Sequence, residues 1–217
     1  MNPSEVKSKT QEEVVSARQA LKQLDKLSKL SQEMPLAAED WDSEWQILIA
    51  IILSARTRDE ITIPVAKKLF NKYRYTEELA RAKISEVQKI IHPVNFYKNK
   101  SKHVVDCAKQ LTKKYSGNVP HDEKLLLELS GVGRKTMNVF LAEVGKEAIG
   151  VDTHVAHISK ELCWTKNSNP EKIEQDLKSL FPKKHWRKIN SCLVKFGKTH
   201  TSRKQKNKIL EDITQIK

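Results

Sequence analysis

The most informative stretch for chemistry is a glycine turn followed by basic residues. Gly131 and Gly133 lie two residues apart between two predicted helices, a spacing that permits a tight reversal of the chain. Such a turn leaves backbone N–H groups uncovered at the start of the next helix, where the helix dipole favours an anion. With Arg134 directly after it, the turn predicts a phosphate-binding site. The alternative is an ordinary helix–turn–helix connection with a glycine cap.

Lys135 follows in the first turn of the second helix. The positive end of the helix dipole and the neighbouring Arg134 both disfavour an ammonium there, and partial burial in a cleft adds to this effect. A lysine kept neutral in this way is a nucleophile that can form a Schiff base. The alternative is that Lys135 only binds a phosphate.

Asp152 comes after a second tight turn, at Gly150. One interpretation is an N-cap for a helix that begins near Thr153. If the two helices pack together, the carboxylate instead lies near Lys135 and can stabilise the positive charge that develops on a sugar when a glycosidic bond breaks. We expect the nearby His154 to be structural rather than catalytic.

Helices must position these residues, because the sequence has few strand signals. The apolar pattern predicts a helix over residues 12–30, and the nearly all-apolar segment 45–55 predicts a buried helix, although its isoleucines would also suit a strand. Amphipathic patterns predict further helices over residues 65–73, 76–82, 84–91, 100–115, 124–129, 135–144, 153–163 and 170–181. We therefore expect an all-α fold.

The charge balance favours a polyanionic partner. The chain has 40 Lys and Arg against 27 Asp and Glu, a net charge of +13. Each phosphate that these cations neutralise releases counterions, so nucleic acid is a natural partner; an acidic membrane surface or a merely solvated basic face are the alternatives. Residues 183–209 contain ten Lys or Arg and no acid, which predicts a basic C-terminal tail.

The three cysteines, Cys107, Cys163 and Cys192, are scattered without a CxxC pair. This argues against a disulfide scaffold and against a cysteine-held zinc or iron–sulfur site, and it indicates a reducing compartment. Residues 1–10 are polar, and the longest strongly apolar run, 47–53, is too short to span a bilayer. We expect an intracellular protein without a membrane segment.

Two stretches carry a family resemblance. Residues 129–139 and 151–154 closely resemble endonuclease III of the helix–hairpin–helix glycosylase superfamily, and the similarity extends over about 45–163 and more weakly over 192–198. It implies a two-domain all-α fold with the active-site cleft between the domains. The six-helix barrel would hold residues 36–147, and residues 1–35 and 148–217 would form a second helical domain that includes the basic tail.

The resemblance also implies chemistry on double-stranded DNA that carries a damaged base or an abasic site. Lys135 would attack C1′ of the damaged nucleotide, expel the base and form an imine, after which β-elimination would nick the strand. Asp152 would assist base loss and lysine activation, and oxidised pyrimidines would be the substrates. The alternatives are a glycosylase for uracil or thymine mispaired with guanine, and a non-catalytic helix–hairpin–helix module that binds DNA.

This chain departs from the family in four places. The family usually ends with four cysteines around a [4Fe–4S] cluster; here residues 196–201 read Phe-Gly-Lys-Thr-His-Thr, so we predict no cluster, no other cofactor and a basic tail in its place. Ser130 replaces a proline. Arg56 replaces a glutamine and would fill the gap of a flipped base or pair with the orphan base. Phe96 occupies the position of an intercalating leucine and is either a wedge or a core aromatic.

The predicted site residues follow from the turn, the tail and the resemblance. Lys135 and Asp152 are the predicted catalytic residues. The predicted DNA contacts are Gly131, Val132, Gly133, Arg134, Thr136, Arg56, Phe96, Lys198, Arg203 and Lys204. A monomer in the cytoplasm or nucleoid of a prokaryote completes the expectation.

Overall fold

A computed structural model describes residues 15–217, and all regular structure in this part of the chain is helical. The α-helices are α1 (Ala17–Leu30), α2 (Glu44–Ser54), α3 (Asp59–Lys72), α4 (Thr76–Ala80), α5 (Ile84–Ile91), α6 (Tyr97–Tyr115), α7 (Glu123–Leu127), α8 (Arg134–Glu143), α9 (Thr153–Glu161), α10 (Pro170–Leu180), α11 (Trp186–Thr199) and α12 (Arg203–Thr214). A 3-10 turn, Lys183–His185, precedes α11. The prediction of an all-α fold is confirmed.

The predicted helices all occur, with differences at their ends. α5 has the predicted bounds, and α2 confirms the buried helix at 45–55. α3 begins six residues before the predicted start, with Asp59 and Glu60 in its first turn, where the helix dipole favours acids. Residues 12–14 of the first predicted helix lie outside the described residues.

The basic stretch that was predicted only as a tail forms two helices, α11 and α12. Each helix has an apolar stripe that the many lysines conceal in the sequence. Ile189 and Leu193 of α11 are fully buried, as is Leu210 of α12, with Ile213 2% exposed. These buried apolar residues make the segment an integral part of the fold.

Two hydrophobic cores divide the chain. The first core runs from Trp45 to Ala148 and surrounds α2, whose residues Leu48, Ile49 and Leu53 are wholly buried. The second core combines residues of α1 with buried residues between Ile149 and Ile213, a segment that contains α9, α10, α11 and α12. We propose that these cores correspond to the two domains predicted over 36–147 and over 1–35 with 148–217.

A buried acid links α10 of the second core to α8 of the first. Glu174 is 3% exposed. Its carboxylate accepts hydrogen bonds from Arg134 Nε at 2.8 Å, Asn138 Nδ2 at 2.8 Å and Lys178 Nζ at 2.7 Å. Burial raises the pKa of this carboxyl, but the hydrogen bonds from Arg134 and Lys178 outweigh it, and the pKa lies below its ordinary value. An ionised Glu174 therefore fixes the first turn of α8, which carries Lys135.

We expect Glu174→Gln to lower the free energy of unfolding at neutral pH by about 1–3 kcal/mol, because two cations lose a charged acceptor. Since the pKa of Glu174 is lower in the folded state than its unfolded value of 4.5, this stabilisation is present above pH 4.5 and disappears as the pH falls through the folded pKa. Denaturant titrations of the wild type and of Glu174→Gln should show that the difference in their free energies of unfolding becomes smaller as the pH falls below 4.5. Glu171→Gln, at an exposed position of α10, is the control. A difference between wild type and Glu174→Gln that does not change with pH would contradict a lowered pKa of Glu174.

Candidate active site

The glycine turn between α7 and α8 needs glycine at 131 for two reasons. Gly131 has a left-handed φ of +81°, and a Cβ there would lie 2.9 Å from the Cβ of His103 and 3.3 Å from Ile52 Cγ2. Gly133 is the N-cap residue of α8, and a Cβ added to it would meet nothing within 4 Å. One side of the turn is therefore packed against the first core, and the other is open to a ligand.

Ser130 is held by two side chains of α6. Its backbone N–H donates to Gln110 Oε1 at 2.7 Å, and its hydroxyl lies 3.0 Å from His103 Nδ1. Gln110 Nε2 also donates to the carbonyl of Glu128 at 3.1 Å. Because proline has no N–H, the first of these bonds exists only in a chain that lacks the family's proline. Here side-chain hydrogen bonds hold the turn where the family has the fixed φ of proline.

Lys135 and Asp152 line the same cavity, whose volume is about 710 Å³. Its walls come from the ends of α2 and α3, from α8, and from α9 and α11. Helices of the first core thus form one side and helices of the second core the other. The residues that the sequence placed in two separate motifs share one cleft between the cores.

Asp152 is both an N-cap and a cavity residue. Its Oδ1 accepts a hydrogen bond from the backbone N–H of Val155 at 2.9 Å, which confirms the N-cap interpretation. The turn before it is held by Asn190, whose Nδ2 donates to the carbonyl of Gly150 at 2.7 Å. A Cβ on Gly150 would lie 2.4 Å from Val139 Cγ2, so this close approach of α8 requires glycine. No sequence motif pointed to Asn190.

A second lysine–aspartate pair lies in the same cavity. Lys198 of α11 donates a hydrogen bond from Nζ to the carboxylate of Asp59, at the start of α3. The sequence predicted Lys198 as a DNA contact and did not single out Asp59. The structure places the ammonium inside the cleft, with 26% of the Lys198 side chain and 12% of the Asp59 side chain exposed.

His154 packs tightly against Gly197 of α11. A Cβ on Gly197 would lie 2.1 Å from His154 Nδ1, so only glycine leaves room for the imidazole. Burial lowers the pKa of His154; Asp152 raises it, and nearby lysines, among them Lys198 and Lys135, lower it further. The net pKa lies below the ordinary value of 6.5, which keeps the ring neutral at neutral pH. Tight packing and a neutral ring agree with the expected structural role.

Arg56 and Phe96 contact each other beside the cavity. The Arg56 guanidinium lies 4.9 Å from the centre of the Phe96 ring, a cation–π distance. Both residues have left-handed backbones, with φ of +57° and +60°. Phe96 is 56% exposed, so its interpretation as a core aromatic is wrong. Left-handed φ values at two non-glycine residues cost conformational energy, which the surrounding contacts must offset.

Lys100 and Asn95 supply those contacts. Lys100 is buried, and its ammonium donates to the carbonyls of Leu53 at 2.7 Å and Ala55 at 2.5 Å, at the C-terminal end of α2. Burial lowers its pKa to about 8. Asn95 Nδ2 donates to the carbonyl of Arg56 at 2.5 Å. The two loops that carry Arg56 and Phe96 are therefore linked by hydrogen bonds, and no separate sequence motif predicted either link.

The remaining predicted DNA contacts differ in exposure. Val132 and Thr136 are 7% and 9% exposed, so their side chains face the protein. Arg134 binds Glu174, but 41% of its side chain is exposed. Arg203 and Lys204 are exposed in the first turn of α12.

The cysteines do not fit the family's iron–sulfur cluster. Such a cluster takes four thiolates, and the chain has three cysteines. Cys107 is fully buried in the first core, where burial raises the pKa of its thiol to about 12. Within residues 15–217 no group of His, Cys, Asp and Glu is arranged to hold a metal ion, and no helix there is long and apolar enough to cross a membrane.

Comparison with known proteins places this geometry in a family. The model of the HhH-GPD superfamily base excision DNA repair proteins matches residues 49–183. Endonuclease III of Thermotoga maritima is 43% identical over 155 residues, which is 71% of this chain and 73% of the relative. Endonuclease III of Bacillus subtilis is 37% identical over 159 residues, 72% of each chain.

Solved structures give the same result. A trapped endonuclease III–DNA covalent intermediate matches with a TM-score of 0.79 and 31% identity, over 87% of this chain and 89% of that one. A thermostable thymine-DNA glycosylase matches with a TM-score of 0.76 over 87% of this chain and 90% of that one; at 21% identity it shows a shared fold alone. The chain belongs to the HhH-GPD superfamily of base excision DNA repair proteins, and within it to the endonuclease III-like glycosylases.

Proposed function

We propose that this protein is a bifunctional DNA glycosylase and AP lyase that removes oxidised pyrimidines from duplex DNA and nicks the resulting abasic site. The observation that carries this proposal is the common cavity of Lys135 and Asp152 beside the open glycine turn. A protein that only binds DNA needs neither side chain in a cleft. The similarity to a trapped endonuclease III–DNA covalent intermediate supports a covalent route.

The reaction begins with attack of the Lys135 amine on C1′ of the damaged nucleotide. A bond forms between Nζ and C1′ while the glycosidic bond breaks and its electron pair leaves with the base. The amine attached to C1′ then gives a proton to the ring oxygen, which departs from C1′ and leaves a protonated imine. Loss of a proton from C2′ to water expels the 3′ phosphate and breaks the C3′–O bond, and hydrolysis of the imine afterwards releases the lysine. The Asp152 carboxylate, oriented by the Val155 N–H, stabilises the positive charge that develops on the sugar.

The proposed DNA contacts surround this cavity. Backbone N–H groups of residues 131–133 bind a phosphate at the start of α8. Arg134 donates from Nε to Glu174, and the exposed part of its guanidinium would contact the DNA backbone. Arg56 and Phe96 enter the space vacated by the extruded nucleotide, where an aromatic ring can separate neighbouring bases.

We expect wild-type protein to form a covalent adduct with abasic duplex DNA under borohydride, and Lys135→Ala to form none, because reduction traps only the imine on the Lys135 amine. The measurement is adduct yield on a denaturing gel. Lys89→Ala, which removes an exposed lysine of α5 outside the cavity, is the control and should react like wild type. An undiminished adduct with Lys135→Ala would refute the proposed nucleophile.

We also propose which damaged bases the enzyme removes. Oxidised pyrimidines are the leading substrates, and uracil or thymine mispaired with guanine is the alternative within the superfamily. A nucleophilic lysine favours an enzyme with lyase activity. The monomeric state and the cytoplasm or nucleoid of a prokaryote stay predictions.

We also propose that the protein works without an iron–sulfur cluster, since three dispersed cysteines replace the four clustered ligands of the family. Protein purified without exposure to oxygen should be colourless and contain far less than one iron atom per chain. Iron analysis and the visible spectrum measure this. Stoichiometric iron with broad visible absorbance would overturn the proposal.

α12 would then supply contacts to the DNA backbone through Arg203 and Lys204. We expect the double charge reversal Arg203→Glu with Lys204→Glu to weaken DNA binding and to reduce the slope of log K against log salt by about 1–2, because each lost phosphate contact removes about one released counterion. The control is Lys67→Glu with Lys68→Glu, an adjacent exposed pair on α3 with the same change in net charge. An equal reduction in both proteins would show a general charge effect and contradict a contact by α12.

A further inference from the structure

The Lys198–Asp59 pair is the group in the cavity that the proposed reaction leaves without a role. It joins α11 of the second core to α3 of the first. Asp59 is 9% exposed as a whole residue. Removing two charges from water is costly, so a partly buried ion pair is weak evidence for a stabilising function. A ligand that uses both charges gives a better reason for their position.

The pair lies next to the reacting groups. His154, two residues after Asp152 on α9, packs directly against Gly197, the neighbour of Lys198. Lys135, Asp152, Lys198 and Asp59 all line the one cavity. Lys135 is exposed, whereas the side chains of Lys198 and Asp59 are mostly covered. If C1′ of a nucleotide is held at Lys135, the more enclosed part of the cavity receives its base.

The chemistry of the pair matches the edge of a pyrimidine. An ammonium is a donor only and a carboxylate is an acceptor only, so together they present a donor beside an acceptor. A pyrimidine ring with a carbonyl next to a ring N–H presents the complementary acceptor beside a donor. When the glycosidic bond breaks, the departing electron pair delocalises onto the ring carbonyl next to the nitrogen that held the sugar, where an ammonium stabilises it most.

We propose that Lys198 and Asp59 bind the extruded base, with Lys198 donating to a ring carbonyl oxygen and Asp59 accepting the adjacent ring N–H. Lys198 keeps its proton throughout, and the released base takes its proton from water. This inference rests on the proposed function, because it requires a base in the cavity. An abasic site has no base, so the pair acts in base removal and has no part in nicking.

The test compares two duplexes that differ only in the presence of the base. One carries dihydrouracil, whose carbonyls flank a ring N–H, and the other carries an abasic site at that position. We expect Lys198→Met to slow removal of dihydrouracil by about 100-fold or more, the usual effect of losing one donor to a developing anion. Nicking and borohydride trapping on the abasic duplex should stay close to wild type.

Lys195→Met is the matched control. Lys195 also lies on α11, has 18% of its side chain exposed, and is paired with Glu33 and Glu39. This variant should keep both activities. Asp59→Asn keeps the shape of the aspartate but presents a donor in place of one acceptor oxygen, and it should reproduce the selective loss of base removal.

The outcomes separate the two proposals. Equal loss of both activities in Lys198→Met and Asp59→Asn, with a lower unfolding midpoint, would mean that the pair only fastens α11 to α3. Removal of dihydrouracil at the wild-type rate by both variants would also overturn the base-binding role. If wild-type protein forms no adduct on the abasic duplex, the proposed lyase function itself fails, independently of Lys198.

Discussion

Contacts across the seam between the two hydrophobic cores determine where every reacting group lies. Apolar packing stabilises each core separately, but the separation of α8 from α9 and α11 depends on a few polar bonds and glycine contacts. Glu174 holds the first turn of α8, and Asn190 holds the turn before α9 through the carbonyl of Gly150. A movement of one core relative to the other would shift Lys135 relative to Asp152 while each core stays packed, so these bonds help to define the cavity.

Hydrogen bonds also determine the positions of the two loops beside the cavity. Arg56 and Phe96 adopt left-handed backbones that neither side chain favours. Lys100 binds carbonyls at the end of α2 and Asn95 binds the carbonyl of Arg56, so these hydrogen bonds hold the backbone that carries the two exposed side chains.

Much of the fold followed from the sequence because its signals are local. The apolar pattern identified α2 and α5, and the glycine turn with Lys135 and Asp152 identified the centre of the cavity. Asp59 could not be found in this way, because its partner Lys198 is distant along the chain and only tertiary packing brings them together. The two C-terminal helices were not predicted because each has only a few apolar residues on its buried face, and the many lysines between them obscure the helical pattern.

Phe96 has a consequence for the thermodynamics of recognition. Its ring is 56% exposed and touches the Arg56 guanidinium, so much apolar surface is hydrated in the unbound protein. Insertion between bases would remove that surface from water and contribute a negative change in heat capacity. Contacts between lysine or arginine and phosphate act mainly through release of salt ions. Two parts of one binding surface would therefore respond to different variables, the aromatic part to temperature and the basic part to ionic strength.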